Sequence, residues 1–348
     1  MRKALTAGAL ALAALLTNVV GATAASAEPT AVTYTAWTWN VSGHKMNRGA
    51  TDNGLVEQAA GSIKRPENDV DFVSFNEICY SQYRSIRTAL ASWNPDNVSY
   101  ARFQEAIPAG STDTSEKRNP ICGGEAFGKA VFSRHQLGKA EYHTFAQESG
   151  LFYRSADGVE HPVRNGMLCA PLVDREAMKF CSVHIGPIST TEKPYGYRQL
   201  VELDALLDGF AAAGQTYMVA GDFNAQPHYE RLNRFYDEEV PGFPTDEKPN
   251  YGDHRELDDT DPSCPGHGEE TSINPAADVP CGKKQPKIDM IFVRTDRLAS
   301  RDYTADAKAV PDCLKLDADG KAEPGTATPC SDHRVVIGRA TLLVDQAT

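Results

Sequence analysis

Apolar and polar positions alternate over residues 31–40, where Val32, Tyr34 and Ala36 are set against Thr33, Thr35 and Trp37. That predicts a strand ending in Asn40-Val41-Ser42-Gly43. Residues 55–64 have helical spacing, led by Thr51-Asp52-Asn53 as caps. A second apolar strand over 70–75 runs into Asn76-Glu77-Ile78, and a helix follows over 83–93. Between 98 and 142 the pattern predicts three strands, around 100–103, 130–132 and 139–142, with a polar loop at 110–124. Residues 167–173 and 178–185 pair as a hairpin whose second arm ends at His184. An amphipathic helix over 195–210 carries Leu200, Leu203, Leu206, Leu207 and Phe210 on one side and leads into a short buried strand, 217–220. Residues 241–286 are a long excursion rich in Pro, Gly, Asp and Glu, before two last strands at 288–293 and 335–343. Strands alternating with helices make the class α/β, and no repeat or linker divides residues 28–348, so one domain is expected.

The start changes the setting of this domain. Met1-Arg2-Lys3, an apolar run over 4–20 and Ala25-Ser26-Ala27 predict a secretory signal peptide cut after Ala27. The competing reading, a membrane anchor, asks for about 20 apolar residues, and this run has Thr6 and Thr17 inside it. The expected product is extracellular, with no stable protein partner implied and a monomer expected. The leader carries two basic residues and no acidic one, so its removal takes the formal charge from −12 to −14. That argues against broad, charge-driven nucleic-acid binding, but not against a nuclease with a locally basic groove or a metal ion.

All eight cysteines follow the leader, and an even count in an exported chain favours disulfides. Cys169 and Cys181 face each other across the hairpin. Cys264 with Cys281, and Cys313 with Cys330, each close a loop in a polar segment, which leaves Cys79 for Cys122. No C-x-x-C spacing supports zinc. In the excursion, Asp258, Asp259 and Asp261 with His254 and His267 have two readings: a structural calcium or other cation, or a solvated acidic loop held by its cystine.

The candidate chemistry sits at strand ends. Asp222 and Asn224 follow the 217–220 strand two residues apart and face the same way. Asn40, Glu77, His184, Asp289, Asp332 and His333 occupy comparable positions. Any one of them has an ordinary explanation as a turn former or a satisfied buried group. Six strand-end segments with complementary chemistry are harder to dismiss.

Those segments, Trp39-Asn40-Val41, Phe75-Asn76-Glu77, Val183-His184-Ile185, Gly221-Asp222-Phe223-Asn224, Ile288-Asp289-Met290-Ile291 and Ser331-Asp332-His333, resemble the ordered motifs of the endonuclease/exonuclease/phosphatase superfamily over residues 32–340. The resemblance implies the deoxyribonuclease I-like four-layer α/β sandwich, two mostly antiparallel sheets flanked by helices. It also implies hydrolysis of a phosphate ester with a divalent cation, magnesium or manganese. In that scheme Glu77 is the main metal ligand, Asn40 ligates or orients beside it, and Asp332 completes the metal site. His333 is a candidate general base with Asp289 fixing its tautomer, while Asp222 and Asn224 hold the attacking water and a phosphate oxygen. Either Asp222 or His333 can be the base. His184 contacts the phosphate or protonates the leaving oxygen. By analogy with deoxyribonucleases it should have an acidic partner, for which Glu125 is nearest but out of register.

The substrate expected first is DNA or RNA, cleaved at phosphodiester bonds, with Arg134, Arg164, Lys193 and Arg198 as candidates to line a groove. The alternative is a phosphatase or phospholipase C type enzyme acting on inositol phosphates or sphingomyelin. It ranks second because no apolar hairpin suited to membrane insertion is evident. A binding protein without activity would leave gaps in the site, and the sequence has none.

Overall fold

The computed structural model of the chain describes residues 28–93, 99–241 and 249–345. The predicted leader, residues 1–27, lies outside the described residues. Sixteen strands are present among those described: β1 Thr30–Asn40, β2 Phe72–Cys79, β3 Ala101–Ile107, β4 Phe127–Ser133, β5 Glu141–Thr144, β6 Phe152–Arg154, β7 Glu160–Pro162, β8 Gly166–Pro171, β9 Met178–His184, β10 Thr216–Asp222, β11 His254–Glu256, β12 Asp289–Arg294, β13 Thr304–Lys308, β14 Asp312–Cys313, β15 Thr328–Pro329 and β16 Val335–Val344. Three α-helices accompany them: α1 Leu55–Ile63, α2 Tyr80–Ala89 and α3 Tyr195–Ala212.

The strands form two six-stranded sheets, in the orders β13-β16-β1-β2-β4-β3 and β11-β12-β10-β9-β8-β5. One core lies between them, with Tyr34, Phe72 and Val131 of the first sheet meeting Leu168, Phe180, Met218 and Ile291 of the second. Phe72 and Phe180 stack across this seam with centroids 4.9 Å apart. A second core joins the outer face of the first sheet to α1 and α2 through Trp37, Phe75, Leu55, Ile63 and Ile86. A third joins the second sheet to α3 through Val183, Val219, Leu200, Leu203 and Leu207. This is the expected four-layer sandwich.

Each sheet has one parallel pair, β1 with β2 and β9 with β10, and every other pairing is antiparallel. The chain therefore brings four strand ends, Asn40, Cys79, His184 and Asp222, to one rim. The antiparallel neighbours of β1 and β10 begin there: Asp222 sits opposite Asp289, and Thr38 opposite Val336 just beyond His333.

All four expected disulfides are formed, Cys79–Cys122, Cys169–Cys181, Cys264–Cys281 and Cys313–Cys330. The 241–286 excursion differs from both readings of its acidic residues. Its residues 254–256 form β11, an edge strand on β12, and Glu256, Asp258 and Asp259 are buried. Lys287 Nζ lies 3.1 Å from Glu256 Oε2 and 2.7 Å from Asp258 Oδ2, while Arg255 Nε donates to Asp259 Oδ2 at 2.8 Å. His254 shares a 2.8 Å hydrogen bond with the Tyr217 hydroxyl. Internal cations thus occupy the places a calcium would take at Asp258 and Asp259, and these acids do not form a solvated face. Periodicity could not show this, because the partner lysine stands 29 residues further along the chain.

Removing Lys287 should leave two carboxylates buried without their cation. Lys287→Met is expected to lower unfolding free energy by about 3–5 kcal/mol, read from the urea midpoint; a midpoint equal to wild type would contradict the pairing.

Candidate active site

The rim gathers every candidate site residue. Glu77 stands at a β-bulge, where the β2–β4 register shifts between Phe75 and Ile78, and its φ of 54° is left-handed. A non-glycine residue there is strained by roughly 1–2 kcal/mol. The bulge turns its carboxylate away from the strand face and into the rim. Gly221, just before Asp222, could not carry a side chain: a Cβ would stand 2.0 Å from the Val183 carbonyl and 2.8 Å from Asn76 Oδ1.

Asn40 is the hub of the contacts. Its Nδ2 donates to Glu77 Oε1 at 3.2 Å and to Asp222 Oδ2 at 3.0 Å, and its Oδ1 accepts the Ser42 N–H at 3.1 Å. One side chain of the first sheet thus holds a carboxylate of each sheet. Asn224 N–H donates to Asp222 Oδ1 at 2.8 Å, and its own amide donates to the Ile185 carbonyl. His184 Nε2 lies 3.6 Å from Asp222 Oδ2 and 3.9 Å from Glu77 Oε1. His333 Nδ1 is bonded to Asp289 Oδ2 at 2.8 Å, with Nε2 3.9 Å from Asp222 Oδ2. Asp332 lies 3.4 Å from Lys45 Nζ and accepts from Asn274 Nδ2 at 3.2 Å.

Burial and mutual repulsion shape the charges. Glu77 is raised by burial, and Asp222 is raised by burial and by the Asp289 carboxylate. His184 is held down to about 3, by burial first and then by Lys129 and His333. Burial opposes a charge on His333 too, yet Asp289, Asp222 and Asp332 outweigh it and push His333 up to about 10. At neutral pH this cluster holds one neutral imidazole and one imidazolium, both with Nε2 near the same oxygen of Asp222.

Glu77, His184, Asp222, Asn224, Asp332 and His333 line one cavity of about 780 Å³. Asn40 and Asp289 stand behind it. The carboxylates that line it, Glu77, Asp222 and Asp332, are hard oxygen donors suited to a divalent cation. Ligand atoms of Asp222, Asp289 and His333 lie within 4.8 Å of one another, and Asp289 Oδ1 is buried without a hydrogen-bond partner among the described residues.

An open groove of about 1160 Å³ adjoins the cavity. Three segments run from one into the other: Pro187 to Ser189, Asn224 to His228, and Pro275 to Ala277. Its arginines are Arg231 and Arg234, stacked at 4.4 Å over Tyr229 and 5.6 Å over Tyr197. The basic residues expected to line a groove do not line this one: Arg134 pairs with Asp69, Arg164 donates to the Ala146 carbonyl and Arg198 to Gln147. Lys193 is likewise absent from both linings. Glu125 pairs with Arg84 rather than with His184. A further correction concerns the β6–β7 hairpin, too short to stand out as alternation. Leu151 and Phe152, 45% and 44% exposed, line the cavity mouth beside it, and Val159 is 51% exposed.

Sequence reasoning also passed over Asn76 and Lys129. Asn76 Oδ1 accepts the Asp222 N–H at 2.9 Å and its Nδ2 donates to Ser182 Oγ at 3.2 Å. The available signal was a polar or charged residue inside an apolar strand run, Phe75-Asn76 and Gly128-Lys129-Ala130.

The model of the Endonuclease/Exonuclease/phosphatase family matches residues 37–333. No curated protein sequence matches the chain. Among solved structures, the chain is similar to an endonuclease/exonuclease/phosphatase family protein from Bacteroides thetaiotaomicron, with 12% identity, TM-score 0.52 and coverage of 90% of this chain and 98% of that one. It is similar to sphingomyelinase C from Streptomyces griseocarneus, with 18% identity, TM-score 0.51 and coverage of 89% and 99%. A mannosyl-6-phosphatase of Bacteroides thetaiotaomicron matches at 12% identity and TM-score 0.52 over 89% and 99%. At these identities the likeness is one of fold.

Because His333 is raised above its free value of 6.5, its pairing stabilises the fold fully below that pH and is lost as the pH rises through about 10. In EDTA-treated protein, the imidazole carbon-bound proton signals followed by NMR should show one histidine charged throughout neutral pH. Asp289→Asn should move that titration down toward the ordinary imidazole range; an unchanged titration would contradict the dyad.

Proposed function

Since the chain belongs to the endonuclease/exonuclease/phosphatase family, whose members hydrolyse phosphoric esters, we propose that it is a divalent-metal-dependent phosphodiesterase acting on nucleic acid outside the cell. The observation that carries the reaction is the rim itself, where Asn40 ties Glu77 to Asp222 opposite the His333–Asp289 dyad. Glu77 and Asp332 would hold a magnesium or manganese ion, with Asn40 orienting Glu77 through its amide. Bound there, the cation would neutralise charge on the phosphoryl oxygens.

The chain's own groups divide the rest. Asp222, raised by burial, sits where it can accept a proton from a water and aim it at phosphorus, and Asn224 holds the Asp222 loop in place. His333, fixed by Asp289, donates its Nε2 proton to the leaving oxygen as the bond from phosphorus to that oxygen breaks. The charge order favours this split over His333 as base, since His333 is the group that carries the proton. His184, neutral, gives a hydrogen bond to a phosphoryl oxygen rather than a proton.

The adjoining groove supports a chain-like substrate, because a small phosphate ester would fill only the cavity. Its Tyr251, 61% exposed, offers a face on which a base stacks, and Arg231, stacked on Tyr229, brings a cation to the lining. Four disulfides fit an oxidising compartment and support secretion. The second reading, a phospholipase C type enzyme on a lipid headgroup, is favoured by Leu151, Phe152 and Val159 exposed beside the cavity mouth.

The mature chain, incubated with plasmid DNA, RNA, inositol polyphosphate and sphingomyelin vesicles in magnesium, should cleave a nucleic acid and stop when EDTA is added. Glu77→Gln should lower kcat/KM by about 100-fold or more. Headgroup release from vesicles without cleavage of nucleic acid would replace the first reading with the second; turnover indifferent to EDTA would sink the metal assignment.

A further inference from the structure

Lys129 lies in the middle of β4, in a run that is otherwise apolar, and is 2% exposed. Its Nζ donates to the Gly166 carbonyl and lies 5.3 Å from the centre of the Tyr142 ring. Gly166 is the β8 residue paired with His184, so this contact sets the ammonium beside that imidazole. The residue also lines the cavity that holds Glu77, Asp222 and His333.

What Lys129 lacks is a counter-ion. Among the described residues no carboxylate pairs with it, whereas the other fully buried lysine, Lys287, has two. The tyrosine hydroxyl nearest in contact, that of Tyr142, is itself buried without a hydrogen-bond partner. A buried ammonium with one carbonyl and one ring face is poorly compensated. Burial accordingly depresses its pKa to about 7. Such a group is costly to the fold and becomes favourable when an anion enters the cavity.

We propose that Lys129 is a substrate ligand, its ammonium binding a non-bridging oxygen of the scissile phosphate from the His184 side of the cavity. Together with burial, the ammonium beside His184 keeps that ring neutral, and it draws the phosphate toward the ring. This inference rests on the phosphoester reading for its substrate, but its binding test does not.

The test compares the whole chain with Lys129→Met, which keeps the length and removes the charge. Inorganic phosphate is the probe, titrated calorimetrically in the presence of magnesium, with thermal stability measured alongside. Lys129→Met should melt at the wild-type temperature or above it, because an uncompensated charge has been removed, and yet bind phosphate at least about 10-fold more weakly. On whichever phosphodiester the wild type cleaves, kcat/KM should fall by a comparable or larger factor. In Lys129→Ala, added ethylammonium should restore part of the lost affinity and tetramethylammonium should not. Equal phosphate affinity in wild type and Lys129→Met, or no phosphate binding by wild type, would overturn the proposal. A lowered melting temperature with unchanged affinity would make Lys129 a structural residue. Phosphate bound through Lys129 without turnover of any ester would instead count against the hydrolase reading and leave the ligand assignment standing.

Discussion

One amide holds the two sheets in register at the working rim. Asn76, on β2 of the first sheet, accepts the backbone N–H of Asp222 on β10 and donates to Ser182 on β9, and Ser182 in turn shares a 2.7 Å hydrogen bond with Ser74. These polar groups are fully buried, so each bond lost would leave an unpaired atom in the seam. Gly221 lets the strands approach closely enough for the contact to form. The bridge fixes how far Glu77, next to Asn76, stands from Asp222, and hence whether Asn40 can reach both. The catalytic geometry depends on this polar bolt through an apolar core.

Charge is distributed around that bolt in an order that the fold imposes. Two parallel pairs deliver strand ends to one rim, and their antiparallel neighbours begin there. Carboxylates from four strands or their flanks therefore converge with two histidines. Asp289, behind His333, makes it a cation; burial, aided by Lys129 beside it, keeps the His184 ring neutral. The two imidazoles are chemically alike in sequence and opposite in charge in place. The acidic excursion repeats the principle without catalysis, since Lys287 and Arg255 neutralise its acids and pin β11 to the sheet.

Most of this was legible from the chain. Strand ends carrying Asn40, Glu77, His184, Asp222, Asp289 and His333 could be read because apolar runs stop abruptly at them, and the Cys169–Cys181 pair because a hairpin has a fixed centre. The six motifs together pointed to the family that the match over 37–333 establishes. What stayed hidden depends on distance along the chain. The Glu77 bulge needs the β4 register, the Lys287 pairs need a partner 29 residues away, and the β6–β7 hairpin has arms of three residues. Lys129 was visible as a charge in an apolar strand, but the sequence could not say which cavity that strand would border.

The proposed reaction has a water positioned at Asp222 attack phosphorus directly, in line with the leaving oxygen. The measurement that meets it is hydrolysis of a phosphodiester made chiral at phosphorus, run in water labelled with oxygen-18. Direct attack puts one labelled oxygen in the phosphoryl product and none in the alcohol, with inversion at phosphorus. Label in the alcohol, or retention of configuration through a phosphorylated residue, would contradict it.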